Sequence, residues 1–317
     1  MSEPEKSTPP NWERDVLEKL ALSALQEQRR SRHWSILFKT LGFLYLFIVL
    51  FMVAGWFDGD GVAIPKEHTA LIDLQGVIAS DEASADSIIG SLQGAFDDKK
   101  TKGVILRINS PGGSPVQAGQ IYDEIKRLRA LHPKVPLYAV VDDICASGGY
   151  YVAAGADKIF VDKASIVGSI GVLMDGFGFT KTMEKLGVER RLLTAGENKG
   201  FLDPFSPVDP EQQAIAKEML EEIHGQFIAV VREGRGKRLK ETPEMFSGLV
   251  WSGEKSIQLG LADAFGSVES VARDVIKAED IVDYTRQENL IDRLAGRLGA
   301  TMAKAWSPFE KTGVSLR

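Results

Sequence analysis

Residues 41–57 read LGFLYLFIVLFMVAGWF, seventeen residues without a charge. A run like this must pair its backbone amides internally, as a helix in a bilayer or in the centre of a large fold. Crossing the hydrocarbon layer takes ~20 apolar residues. The span gains that length by starting near Trp34, with the Lys39 ammonium snorkelling outward. Apolar and aromatic side chains occupy every helical face, so no polar side is left for water, which argues against a core helix. Trp34 and Trp56 fall where interfacial aromatic belts sit. Arg29, Arg30 and Arg32 precede the run, and Asp58 and Asp60 follow it. The positive-inside rule then puts the N-terminus in the cytoplasm and the chain from about residue 58 outside it. About forty residues precede the run and no Ala-x-Ala follows, so it reads as an uncleaved anchor rather than a signal peptide.

The expected division follows from that anchor. Residues 1–33 form a cytoplasmic arm, with an amphipathic helix over 11–32. Residues 34–57 span the membrane, and 58–67 are a Gly/Asp linker. A folded domain occupies 68–285. An amphipathic tail, 286–317, carries Leu290, Ile291, Leu294, Leu298, Met302 and Ala305 on one side. The net charge of −6 and pI near 5.4 argue against a nucleic-acid partner. Cys145 is the only cysteine, which excludes an intrachain disulfide and a cysteine zinc cluster. His33, His68, His132 and His224 show no metal spacing, so neither metal nor cofactor is expected.

From His68 onward the pattern is α/β. Strands are expected at Ala70–Ile78, Gly103–Ile108, Leu137–Val141, Lys158–Val161 and Arg191–Thr194. Helices are expected at Ser87–Ala95, Val116–Leu131, Ser147 to about Ala154, and Pro210–Glu233. On the last of these, Ile215, Met219, Ile223, Phe227 and Val230 recur at helical spacing and read as core. Alternation of this kind implies parallel pairing and right-handed crossovers. The glycine-rich Val167–Val172 offers an edge for an extended peptide.

Ser147 sits between an expected strand and an expected helix, in Ala146-Ser147-Gly148-Gly149-Tyr150-Tyr151. Two readings are open. It is a helix N-cap, or it is a nucleophile at the positive end of a helix dipole, with glycines making room for a peptide. Cys145 holds the first glycine position of a G-x-S-x-G elbow, so that motif is absent. The loop Asn109-Ser110-Pro111-Gly112-Gly113-Ser114 is an ordinary strand-to-helix turn or an anion-binding nest. Lys199 is a surface charge, or a base whose pKa of ~10.4 has been lowered by about three units in an apolar pocket. Phe201, Leu202 and Phe205 are the available walls. No histidine is singled out as a partner for Ser147.

Four blocks in this order resemble the signal peptide peptidase A family: Ile108–Gly113, Ala146–Tyr151, Gly168-Ser169-Ile170-Gly171-Val172 and the Lys199 segment. The likeness covers roughly residues 68–280, in the short form with one catalytic domain behind a single span. It implies a Clp-protease/crotonase-like α/β fold of repeated ββα units. It implies Ser147 as nucleophile, Lys199 as general base, Ser169 orienting the lysine, and the amides of Gly113 and Gly148 as oxyanion hole. It further implies a homo-oligomeric ring on the membrane in which neighbouring protomers share each active site. The substrates would be remnant signal peptides, cut at the outer face of a bacterial inner membrane. Asn198 stands where many relatives carry an aromatic residue. Two other readings of the residues are a crotonase-like enzyme of acyl thioesters and a non-catalytic scaffold.

Overall fold

The computed structural model describes residues 12–53 and 67–286. They fall into two units that divide between Ile64 and Pro65. The first is a single helix, α1 (Trp12–Val53), unbroken at the expected boundary between arm and anchor. Its stretch Glu27–Leu50 is long and apolar enough to cross a membrane. Trp56, Asp58 and Asp60, the linker up to Lys66 and the tail from Gln287 lie outside the described residues.

The second unit is built on β1 (His68–Gln75), α2 (Ala85–Asp97), β2 (Thr101–Ser110), α3 (Pro115–Leu131) and β3 (Leu137–Ala146). β1, β2 and β3 pair in parallel, with Ile72 opposite Leu106 and Leu106 opposite Ala139. A parallel sheet is covered on both faces, which is why its strands are apolar along their length. Ile72, Leu74, Leu106 and Ile108 pack under Ile88 and Leu92 of α2 and Ile121 and Ile125 of α3. On the other face a smaller cluster joins Leu71, Ile105, Val140 and Phe160 to Val268, Val271 and Ala272. Local signals place the helices. Ser84 and Ser114 accept the amides of Ser87 and Gln117, and Pro115 opens α3.

Beyond β3 come α4 (Gly148–Ala153), β4 (Lys158–Val161), β5 (Ile166–Gly168), α5 (Thr180–Leu186) and α6 (Pro210–Arg235). β6 (Val250–Ser252), α7 (Gly253–Leu259) and β7 (Ala264–Phe265) follow, then α8 (Val268–Ser270, continued as a π turn to Ile276) and β8 (Ile281–Asp283). The sheet runs β6-β5-β3-β2-β1-β8, with β4 and β7 branching from β3. Only β5–β6 is antiparallel among the described pairs.

Three expectations need correction. Residues 191–194 are irregular, not a strand. Leu192 and Leu193 are exposed there and find no sheet neighbour to pair with. Within the expected edge Val167–Val172, Val167 and Gly168 are not free, because β5 pairs β3 on one side and β6 on the other. The apolar stripe of α6 is core only in its C-terminal half. Phe227 and Val231 are buried, whereas Ile215 and Met219 are exposed.

Candidate active site

Register in the sheet assembles the site. Ser110 pairs with Cys145, so two loops leave β2 and β3 side by side. Ala146 pairs with Gly168, which brings the end of β5 to the same place. Ligands of open α/β sheets bind at such carboxyl ends of parallel strands. The Ser147 amide donates to the Gly168 carbonyl at 2.9 Å, tying serine and glycine-serine turn together.

Ser147 has φ 52° and ψ −123°. A left-handed φ on a non-glycine residue is costly and marks an imposed geometry. The side chain caps nothing, although the residue occupies the N-cap of α4. The capping reading therefore fails, and the hydroxyl is left half-exposed at the mouth of three loops.

Gly112 and Gly113 show why those positions have no side chain. A Cβ on Gly112 would sit 2.7 Å from the Ser147 Cβ and 2.8 Å from the Gly148 nitrogen. One on Gly113 would meet the Ile78 carbonyl oxygen at 2.3 Å. Ile78 holds this loop on both sides, donating to the Gly112 carbonyl and accepting from the Ser114 amide, each at 2.8 Å. A Cβ on Gly148 would lie 3.3 Å from the Gly113 nitrogen, so the two amides are neighbours beside Ser147. No hydrogen bond within the described residues takes up either N–H. Two free, adjacent backbone donors next to a hydroxyl can stabilise a developing oxyanion.

Ser169 stands one residue past Gly168, also with φ 52°. Its amide donates to the Leu249 carbonyl at 2.7 Å, and its carbonyl accepts from Gly171. Its hydroxyl is half-exposed and makes no hydrogen bond among the described residues.

Lys199 is carried by a different segment. It lies in a chain of turns, with its amide donating to the Gly196 carbonyl at 3.1 Å, and its side chain is exposed. Phe201, Leu202 and Phe205 do not enclose it; Phe205 stacks instead on Phe179, under the Arg190 guanidinium. No hydrogen bond joins Lys199 to Ser147 or Ser169 among the described residues. The structure sets Gly113 and Gly148 beside Ser147, with Ser169 next to the Gly168 that accepts the Ser147 amide, and leaves Lys199 exposed. The 172–209 region that carries the lysine forms, with the first half of α6, a groove of about 980 Å³ lined by Phe177, Phe179, Leu202, Val208 and Leu220 among others.

Among the described residues no histidine hydrogen-bonds Ser147. His68 is buried against Tyr284, His132 packs on Phe96, and His224 bonds the Ile170 carbonyl. Cys145, two residues before the serine, is fully buried, and burial pushes its thiol well above the ordinary range. It stays protonated and is no rival nucleophile. No cluster able to hold a metal ion occurs among the described residues.

Residues 129–281 match the Peptidase family S49 description, and residues 68–167 match that of Clp protease. A provisionally named protease of Methanocaldococcus jannaschii is 32% identical over 219 residues, 68% of this chain and 70% of that one. The chain belongs to peptidase family S49 and has the Clp-protease-like α/β fold. A provisionally named signal peptide peptidase of Enterococcus faecium is 28% identical over 267 residues, 77% of each chain. A Brucella melitensis protein named as a Na(+)/H(+) antiporter is 46% identical over 212 residues, 67% of this chain. This chain spans only 28% of that protein's length.

Proposed function

We propose that this chain is a membrane-anchored serine endopeptidase with a Ser–Lys dyad. The observation that carries the reading is the left-handed, uncapped Ser147 set beside the free amides of Gly113 and Gly148. Neutral Lys199 takes the proton of the Ser147 hydroxyl as Oγ bonds to the peptide carbonyl carbon. The oxyanion is held by the two glycine amides, each such donor being worth ~3–4 kcal/mol of barrier. The C–N bond then breaks, and the lysine ammonium returns its proton to the leaving amine. Water attacks the acyl-enzyme and frees the acid, with the same lysine as base. Ser169 orients the lysine amine.

A lysine base needs to be held out of water. Lys199 is exposed in one chain, so its pocket must come from elsewhere. An adjacent protomer in a homo-oligomeric ring supplies it, each active site taking serine from one chain and lysine from the next. Exposed Leu173, Phe177, Leu186 and Leu193 provide apolar surface for that contact. α1 holds the ring on a bacterial inner membrane with the peptidase domain outside, where remnant signal peptides are the substrates. The name of the E. faecium relative points the same way. Transport, the activity in the Brucella name, is not carried over, because the described residues hold one helix apolar enough to span.

Hydrolysis of a fluorogenic apolar peptide by the detergent-solubilised chain tests this. Wild type should cleave it, and Ser147→Ala and Lys199→Ala should each lose at least about 10³-fold with assembly intact. Equal rates in all three would refute the dyad.

A further inference from the structure

We infer that His224 is a positioning residue of this active site, a role resting on the reading of Ser147 and Ser169 given above. α6 touches both halves of the site. Phe227 packs on Tyr151 of α4, with ring centroids 5.1 Å apart. A Cβ on Gly234 would lie 2.0 Å from the Ala154 carbonyl oxygen, so α6 also presses on the end of the serine's helix. One turn before Phe227, His224 Nε2 reaches the Ile170 carbonyl at 3.1 Å. The carbonyl can only accept, so the imidazole carries its proton on Nε2.

Ile170 directly follows Ser169. The turn there is strained, with φ 119° at Gly168 and 52° at Ser169. It must keep two jobs in register: the Gly168 carbonyl accepts the Ser147 amide, and the Ser169 hydroxyl points free. On one side the Leu249 carbonyl anchors the turn through the Ser169 amide. His224 anchors the other side, and it is the one side chain that hydrogen-bonds the backbone of 168–171 among the described residues. A strained turn holds its shape only when its surroundings over-determine it. Without His224 the Ile170 carbonyl is left unpaired and the turn is free to relax. The Ser169 hydroxyl would then lose its aim, and a small displacement near reacting atoms is felt in kcat.

The test uses the full chain in detergent, assayed for kcat and KM on the fluorogenic peptide and for Ser147 labelling by a fluorophosphonate. Glutamine places an amide N–H close to where Nε2 stands, whereas asparagine stops short of it. His224→Leu and His224→Asn should lower kcat about tenfold with KM within about twofold, and His224→Gln should stay within about twofold of wild type. Wild-type rates in His224→Leu, beside an inactive Ser147→Ala, would overturn this role alone. So would a His224→Gln as slow as His224→Leu, since bulk and not the hydrogen bond would then matter. If the leucine variant does not assemble, the Gln and Asn variants decide, and equal rates for those two overturn the role. Activity persisting in Ser147→Ala would remove the site itself, and the inference with it.

Discussion

Ser147 and Gly112 are packed so closely that neither tolerates change for the same reason. The serine's left-handed backbone is held by the hydrogen bond its amide donates to the Gly168 carbonyl and by the space that Gly112 leaves open. Gly112→Ala would add a carbon 2.7 Å from the Ser147 Cβ, on a residue whose φ is 108°. The strain alone is of order 1–3 kcal/mol. Hydrolysis and fluorophosphonate labelling of Ser147 should both fall at least about 100-fold, with a lower melting temperature. Normal labelling in a variant of unchanged stability would show that the loop is not set by this contact. Ser147 and the two glycine pairs stood out in the sequence, and Gly113 and Gly148 do lie beside the serine, whereas Ser169 was pointed to by the family resemblance alone. The φ of the serine was not legible, since it comes from the sheet register that pins Ala146 to Gly168. The exposure of Lys199 was hidden too, because sequence offers Phe201, Leu202 and Phe205 without saying which way they turn.

The helix α6 separates two kinds of apolar residue that look alike in sequence. Phe227 and Val231 are buried against α4 and the sheet, while Ile215 and Met219 on the same helix are exposed. Periodicity reports a face and not its partner, so the stripe was read as core throughout. Phe227→Ala should cost about 3–5 kcal/mol in chemical unfolding of the dispersed chain, and Met219→Ala less than about 0.5 kcal/mol. Similar losses would mean that the first half of α6 is covered after all. The end of the same helix carries a second determinant. Arg235, only 1% exposed, donates to Asp263 at 2.9 Å, and Arg238 adds a bond at 3.1 Å. Burial raises the Asp263 carboxyl, but the Arg235 hydrogen bond and charge, the Ile159 amide and Arg238 outweigh it, leaving it below the ordinary range. Its folded value is thus lower than its unfolded one of ~3.9. The stability it contributes is full above the unfolded value and is lost as pH falls through the folded one. Asp263→Asn should lose about 3 kcal/mol at neutral pH by stranding Arg235. It should also show a shallower decline in stability below about pH 4, read from urea midpoints at several pH values. A variant as acid-sensitive as wild type would assign that loss to other carboxylates.

At the scale of the whole molecule, the proposed dyad has only its serine side in a defined setting within one chain. Ser147, the amides of Gly113 and Gly148, and Ser169 gather at the carboxyl ends of β2, β3 and β5, while Lys199 lies exposed in a region that buries little of its own apolar surface. The alternation of strands and helices was legible because each parallel strand is apolar along its length. β6 and β8 were not, since strands of three residues carry no readable period. Nor can a sequence show a pocket made by two copies of itself. A shared site makes a prediction that a self-contained one does not. Ser147→Ala keeps every lysine and Lys199→Ala keeps every serine, so a ring assembled from both contains some intact pairs. In a closed ring of randomly mixed chains, about one interface in four has both residues, if each site spans two neighbours. Mixing the two inactive variants, with exchange allowed in detergent, should therefore restore about a quarter of wild-type hydrolysis. Cross-linking the rings before mixing should prevent the recovery. If the dyad forms within one chain, every subunit in the mixture lacks a partner and the activity stays at the level of the single variants. Lys199 would then serve the Ser147 of its own chain.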